Sequence, residues 1–217
     1  MNDLNSVQYL FGAPFYKTKI DSNLYDKLEV IDTIKHNYSI DPNRNKWSSL
    51  IDIHQLNGDY NNPTFKDFSK SAKESLSNLY NNSLRIFFDS FLEESAQFKF
   101  HMINYTCMLN NQYMIEHEHA CDFSAVHYIK FNKNVHLPTF YINPMTWGFY
   151  SDRIFTPNWQ SLTSDNSKVK NSYMHKFFNL DVEEDDFVVT PGPLRHFVPA
   201  SSSNELRMTI ILNIKFV

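Results

Sequence analysis

Two stretches in the first half of the chain carry apolar residues at helical spacing. Between residues 24 and 36 the apolar positions lie three or four residues apart, as on one face of a helix. A longer helical pattern covers residues 63–97, and the polar pair Asn81-Asn82 could divide it into two helices. The intervening polar segment predicts loop, with one short strand near residues 49–53.

The second half changes to short apolar runs separated by turn residues, which predict strands. Residues 123–131 alternate along the predicted strand. Val126, Tyr128 and Lys130 lie on one face, and Ala125, His127 and Ile129 lie on the other. The predicted strands cover residues 98–109, 113–117, 123–131, 137–142, 186–190 and 206–217. Strands at this spacing predict a sandwich or barrel.

The predicted organisation is a single domain over residues 1–217, mainly β with flanking helices (an α+β fold). Residues 1–97 would form a helical and mixed support region, and residues 98–217 the β core. A long segment over about residues 143–178 interrupts that core, and a segment of this kind is more often a substrate lid than a linker. Its aromatic residues are Trp147, Phe149, Tyr150, Phe155 and Trp159.

Composition narrows the class of protein. The 217 residues are 42% hydrophobic and 16% aromatic, which argues against disorder over the whole length. A net charge of -4 argues against a nucleic-acid partner. Two cysteines are too few for a disulfide framework and indicate a reducing compartment. No secretory signal or membrane span is recognisable, so the cytoplasm is the expected location, with no membrane partner.

Three histidines form a candidate metal site. His117 and His119 lie two positions apart at the end of an apolar run, so a strand would point both to one face. His196 follows the turn at residues 190–193. Imidazole binds iron, zinc, copper and nickel, whereas the usual iron oxygenase triad contains one carboxylate. Either the three histidines form the site, or Asp122 replaces one of the close pair, and the sequence leaves this open.

Arg207 follows His196 by eleven positions and begins the last predicted strand. Alternation places Arg207, Thr209, Ile211 and Asn213 on the same face. A guanidinium inside a barrel needs a partner, and a carboxylate bound through two hydrogen bonds would provide it. Arg207 and Thr209 are therefore predicted to bind the carboxylate of a 2-oxo acid.

These residues resemble the 2-oxoglutarate and iron(II)-dependent oxygenase superfamily. The resemblance is to its small oxygenases, found in marine bacteria and their phages, whose first motif is His-x-His before a strand of the type Ser-x-Val-x-Tyr. Residues 117–119 read His-Glu-His and residues 124–128 read Ser-Ala-Val-His-Tyr. The second motif matches residues 191–199, then Arg-Met-Thr at 207–209. The opening at residues 10–15 is also similar.

The resemblance implies a double-stranded β-helix, a cupin-like jelly roll with helices on one face. It implies iron(II) on His117 and His196, with His119 or Asp122 as the remaining ligand. It implies 2-oxoglutarate on Arg207 and Thr209, assisted by Asn104 or Tyr128. The wider superfamily has an acid where this chain has His119.

The implied activity is a hydroxylase that uses iron(II) and 2-oxoglutarate, with no catalytic residue beyond the metal ligands. Its substrate would be a prolyl or other amino-acid side chain, in a peptide or free, or a small metabolite. The alternatives are a jelly-roll protein that binds a metal or ligand without turnover, and a phage structural or interaction protein. Oligomeric state is not predicted.

Overall fold

The computed structural model describes residues 7–10, 13–40, 66–93, 96–144 and 177–217, and these form ten strands, two α-helices and one 3₁₀ helix at Ser22–Leu24. The helices are α1 (Lys27–Ile40) and α2 (Lys70–Asp89). The strands are β1 (Val7–Leu10), β2 (Ala13–Lys19), β3 (Phe98–Met108), β4 (Met114–His117), β5 (Phe123–Lys130), β6 (Phe140–Ile142), β7 (Phe177–Asn179), β8 (Asp186–Pro191), β9 (His196–Val198) and β10 (Arg207–Phe216).

The strands form two antiparallel sheets. The larger has the order β1-β2-β8-β5-β10-β3, and the smaller has the order β4-β9-β6-β7. The mainly β architecture with two helices agrees with the predicted class. Strands β1 and β2 come from the predicted support region, yet they extend the same sheet that contains β5 and β10.

Both helices place one apolar stripe against the larger sheet. In α2 the buried residues recur mostly every four positions, as a helix with one core-facing stripe requires. They are Ala72, Leu76, Tyr80, Leu84, Phe87 and Phe88. The Oγ atom of Ser69 caps this helix by accepting a hydrogen bond from the backbone N–H of Ala72 at 3.1 Å.

The predicted break at Asn81-Asn82 does not occur, because α2 continues through both residues. Their side chains are exposed, so the helix loses little from their low propensity while its buried stripe continues on the opposite face. The aromatic residues predicted to form a lid and the short strand predicted near residues 49–53 lie outside the described residues.

Alternation along β10 divides the interior into two layers. Met208, Ile210, Leu212 and Ile214 pack in the core shared with the helices. The opposite face, here called the site face, carries Arg207, Thr209, Ile211 and Asn213, as the sequence pattern predicts. A second core cluster lies between the sheets and contains Tyr128 and Val188 of the larger sheet and Tyr141 of the smaller one.

Within the described ranges neither helix is both long enough and apolar enough to cross a membrane.

The helix-side core contains one buried histidine. The Nδ1 atom of His127 lies 2.8 Å from the Tyr80 hydroxyl, and its Nε2 atom has no partner in the described structure. The ring also contacts Tyr25 and Phe187 edge-on. Burial, followed by the positive charge of Lys27, lowers the pKa of His127 to about 3. The residue is therefore neutral in the folded protein at any pH at which the protein is ordinarily handled.

A neutral buried histidine makes stability depend on pH. Between pH 6.5 and about 3 the unfolded state binds a proton at His127 that the folded state does not bind. Stability from this residue is therefore complete above pH 6.5 and is lost as the pH falls, at about 1.4 kcal/mol per pH unit. His127→Asn should reduce the slope of unfolding free energy against pH by about this amount, measured by urea denaturation between pH 7 and 5.

His101→Asn is the matched control, because His101 is an exposed residue of β3. An equal slope in the wild type and His127→Asn would contradict the assignment.

Candidate functional site

His117, His119 and His196 converge at one edge of the smaller sheet. Their candidate ligand nitrogens all lie within 4.8 Å of one another. The ring centroid of His196 lies 4.4 Å from that of His117 and 5.2 Å from that of His119. Three imidazoles at these separations can bind one metal ion, and three protein ligands leave positions open for other ligands.

Strand pairing places two of the three histidines. His117 ends β4 and His196 begins β9, and the two residues are direct cross-strand partners. Directly opposed residues on antiparallel strands have neighbouring side chains, so this pairing alone brings the two imidazoles together. His196 is also opposite Tyr141 of β6.

His119 reaches the cluster by a different route from the one predicted. Strand β4 ends at His117 after an irregularity in its pairing with β9, so His119 is not a strand residue. Its backbone N–H instead donates a 2.9 Å hydrogen bond to the carbonyl oxygen of Gly192. The tight turn after β8 therefore holds the third imidazole in place.

Gly192 is needed for this arrangement. Its N–H donates to the carbonyl oxygen of Asp122 at 3.0 Å, so the turn and the segment after His119 are bonded in both directions. A Cβ atom at position 192 would clash with the carbonyl oxygen of Cys121 and lie 2.8 Å from the Cys121 Sγ atom. Only glycine allows these two backbone segments to approach so closely.

The hydrogen bonds of the Nδ1 atoms fix the orientation of all three rings. His117 Nδ1 lies 2.7 Å from the carbonyl oxygen of Ile115, and His196 Nδ1 lies 2.8 Å from that of Leu194. His119 Nδ1 lies 2.9 Å from Asn213 Oδ1 on β10. Because a carbonyl oxygen can only accept, each Nδ1 carries the proton and each Nε2 keeps a free lone pair for a metal.

Burial keeps two of the three imidazoles neutral. It lowers the pKa of His119 to about 4, with a further contribution from His117 and a partial offset from the Asn213 hydrogen bond. Burial and His117 likewise lower the pKa of His196 to about 3. Neutral imidazole is the form that binds metals, so both side chains are ready ligands at neutral pH.

Asp122 lies outside the cluster. Its carboxylate is exposed, and Oδ2 accepts a 2.8 Å hydrogen bond from the backbone N–H of Phe216. Glu116 forms a 2.6 Å ion pair with Arg195. Across the described residues, the group that could hold a metal consists of histidines alone, without a carboxylate.

Arg207 is the second unusual group of the site. The side chain is only 4% exposed, and no carboxylate in the described part of the chain pairs with it. Its Nε and Nη2 atoms have no hydrogen-bond partner there. The guanidinium carbon lies 5.3 Å from the Tyr128 ring centroid and 5.9 Å from that of Phe131. Burial lowers the pKa of Arg207, yet an arginine stays charged at neutral pH.

Of the other predicted co-substrate residues, Tyr128 contacts this guanidinium, and Thr209 and Asn104 lie further along the site face. The Thr209 hydroxyl forms a 2.5 Å hydrogen bond with that of Thr106. Asn104 is opposite Ile211, and its buried Oδ1 has no partner among the described residues. The Tyr128 hydroxyl donates to Thr139 Oγ1 at 3.1 Å. The site face thus carries further polar groups, and one of them is an unused acceptor.

The sequence predicted no role for two residues of the site, Asn213 and Tyr141. Asn213 was placed on the correct face by alternation, but nothing in its spacing indicated a hydrogen bond to His119, which lies in the loop after β4. Tyr141 is buried, its ring centroid lies 5.9 Å from that of His196, and its hydroxyl bonds to Thr190. Burial raises the pKa of Tyr141 well above its ordinary value. The charge of Arg207 partly offsets this rise in the Tyr141 pKa, so Tyr141 lies near both halves of the site.

No protein-family model matches the chain, and no curated protein matches it by sequence. Among solved structures, it is similar to a 2OG-Fe(II) oxygenase family oxidoreductase from Burkholderia pseudomallei, at 15% identity and a TM-score of 0.46. That alignment covers 69% of this chain but 59% of the other, so the chain spans less than two thirds of the Burkholderia protein.

Two prolyl hydroxylases are also similar. One, from Trichoplax adhaerens in complex with a peptide of hypoxia inducible factor, is 12% identical over 99% of this chain and 84% of that one, with a TM-score of 0.49. A prolyl-4-hydroxylase from Pseudomonas putida is 10% identical over 99% and 93%, with a TM-score of 0.47. At these identities and scores the likeness is remote, and the functional proposal rests on the side chains of the site.

The ligand set can be tested with matched substitutions. His119→Ala should weaken Co²⁺ binding by about 100-fold, because it removes one of three nitrogen ligands. Asp122→Asn should leave the affinity within about threefold, because that carboxylate hydrogen-bonds the Phe216 backbone. Isothermal titration under anaerobic conditions measures both, and a reversed order of effects would make Asp122 the third ligand.

The role of the Gly192 turn gives a separate prediction. Gly192→Ala should weaken Co²⁺ binding by about tenfold or more, because the added methyl group displaces the segment that holds His119. Pro193→Ala, at the exposed neighbouring position, is the control and should bind like the wild type. Equal affinities in the two variants would show that the turn does not position His119.

Proposed function

We propose that this chain is an iron(II)- and 2-oxoglutarate-dependent oxygenase with a jelly-roll fold, built as one domain. The observation that carries the proposal is Arg207, a buried cation with unused donors. Leaving a buried charge unpaired is costly, so the position is best explained by an anion that binds there. A carboxylate matches the planar fork of a guanidinium, which can bind it through two hydrogen bonds.

The donor set fits a divalent transition metal. Three imidazoles with free Nε2 lone pairs suit iron(II), and each is held by an outer hydrogen bond that fixes its orientation. We propose His117, His119 and His196 as the ligands. Iron(II) with open coordination positions supplies oxygen activation when bound, and 2-oxoglutarate supplies the electrons through its own oxidation.

The protein contributes binding, orientation and the exclusion of water. Arg207 holds the distal carboxylate of 2-oxoglutarate, and the Thr209 hydroxyl is the adjacent donor. Tyr128, Phe131 and Met108 surround the guanidinium with apolar surface. Ion pairing is stronger in such surroundings than in water, so this end of the co-substrate is held in a defined position. Asn104 offers an unused acceptor further along the same face.

The substrate proposed is a prolyl or other amino-acid side chain, or a small metabolite. The position of Tyr141 supports chemistry near the metal, because its ring lies against His196 and its hydroxyl remains protonated. Its ring can therefore shield one side of the centre from water.

One observation favours a second candidate function. A set of three histidines without a carboxylate also suits zinc, which has no redox chemistry. The alternative is therefore a protein that binds a metal and an acid without turnover. Succinate formation with iron(II) and 2-oxoglutarate separates the two, since only the oxygenase consumes the co-substrate.

Arg207→Met should weaken 2-oxoglutarate binding to the Co²⁺-loaded protein by at least about 30-fold, because it removes one partner of a buried charged pair. Its Co²⁺ affinity should not fall, because Arg207 is not a ligand and its removal takes a positive charge away from the metal. Arg195→Met is the matched control: this arginine is exposed and pairs with Glu116, and the variant should bind 2-oxoglutarate like the wild type. Unchanged binding in Arg207→Met would refute the proposed carboxylate site.

A further inference from the structure

Two buried threonines are paired on the site face of the larger sheet. Thr106 of β3 and Thr209 of β10 are direct cross-strand partners, and each is 1% exposed. Their hydroxyl oxygens lie 2.5 Å apart, so one hydroxyl donates a hydrogen bond to the other. Each hydroxyl has a single proton to donate. One of the two protons therefore lies in the shared hydrogen bond, and the other remains for a third group.

The neighbouring residues of both strands hold the guanidinium. Arg207 precedes Thr209 by two positions on β10 and is opposite Met108 of β3, whose Sδ atom lies 3.9 Å from Arg207 Nη1. Residues two positions apart on a strand lie on the same face, about 7 Å apart. Thr209 is thus the direct neighbour of Arg207, whereas Thr106 is related to it only diagonally across the two strands.

The direction of the shared hydrogen bond decides what Thr209 can offer to a ligand. When Thr209 donates to Thr106, its proton is used, and its oxygen presents only lone pairs, which repel a carboxylate. When Thr106 donates to Thr209, the Thr209 proton is free for the ligand. A carboxylate on Arg207 favours the second direction, because donors orient towards negative charge and a chain of hydrogen bonds that ends on an anion is strengthened at each step.

We infer that Thr106 is a positioning residue for the co-substrate. Its hydroxyl donates to Thr209 and thereby directs the Thr209 proton at the distal carboxylate of 2-oxoglutarate. This inference rests on the proposed function, which assigns that carboxylate to Arg207 and Thr209. Thr106 acts through Thr209 and not on the metal, so its effect is confined to ligands that carry a distal carboxylate.

The experiment compares two acids that differ in that group. The full chain is loaded with Co²⁺ without oxygen and titrated with 2-oxoglutarate or with pyruvate, while the visible absorption of Co²⁺ is recorded. Pyruvate has the 2-oxo acid group but no distal carboxylate, so it reports on the metal end alone. Thr106→Val removes the donor and keeps the shape of the side chain. It should weaken 2-oxoglutarate binding about fivefold and leave pyruvate binding within about twofold of the wild type.

Two variants control for effects on packing. Thr106→Ser keeps the hydroxyl and should bind 2-oxoglutarate within about twofold of the wild type. Thr33→Val makes the same change at a buried position of α1, on the helix side of the larger sheet, and should bind both acids like the wild type.

A double-mutant cycle tests whether Thr106 acts through Thr209. Thr209→Val should weaken 2-oxoglutarate binding about 30-fold, because it removes a hydrogen bond to a charged group. Adding Thr106→Val to that variant should cost no more than about twofold, because no Thr209 proton remains to be directed.

Equal 2-oxoglutarate affinities in Thr106→Val and the wild type overturn the inference. Equal losses for 2-oxoglutarate and pyruvate also overturn it, because Thr106 then supports the fold or the metal end. Additive losses in the double variant do the same, because Thr106 then acts independently of Thr209. In all three cases 2-oxoglutarate binding by the wild type leaves the proposed function intact.

Thr106→Cys replaces Thr106→Val if the valine variant does not fold. A thiol is a weaker donor than a hydroxyl, so 2-oxoglutarate binding should still fall at least about threefold with pyruvate binding unchanged. A wild-type chain that takes up Co²⁺ but binds no 2-oxoglutarate overturns the proposed function and the inference with it.

Discussion

Strand β10 is the constraint on which both the core and the candidate site depend. It lies between β5 and β3 in the larger sheet, and its residues alternate between two different surroundings. One face contributes four apolar side chains to the core with the helices. The other carries Arg207, Thr209 and Asn213. A shift of one residue would exchange the two faces, so the packing that stabilises the fold also determines where the site residues point.

The two halves of the site require ions of opposite sign, and the described residues supply neither ion. The imidazole cluster is an oriented set of metal ligands, and His119 and His196 stay neutral because burial lowers their pKa. Arg207 is a buried cation that stays charged and lacks an anion in the described structure. The first half can accept a cation and the second an anion, and a molecule that chelates a metal and ends in a carboxylate satisfies both.

The faces of the strands could be predicted from alternation in the sequence. The parts of the site that depend on close approach of two backbone segments could not. The faces of β5 and β10 follow from period-two patterns, because the apolar residues of each strand must meet the helices. The position of His119 does not follow from such a pattern. Strand β4 ends at His117, and His119 is held by its hydrogen bond to the Gly192 turn. The continuity of α2 was not predicted, because its two exposed asparagines resemble a helix break. The buried His127 has no signal at all in the sequence, because its neutrality comes from tertiary packing.

An ion bound in one half of the site should change the affinity of the other half for its own ion. A cation bound by the histidines raises the electrostatic penalty of the unpaired guanidinium, and an anion bound by the guanidinium lowers the penalty of adding the cation. Such coupling is reciprocal: if the metal strengthens acid binding by some factor, the acid strengthens metal binding by the same factor. Tyr141 lies where this coupling acts, against His196 and within electrostatic range of Arg207. A site that gains most of its affinity only when metal and acid are both present holds its metal loosely without the acid, because three neutral ligands and a nearby cation give the metal no compensating charge.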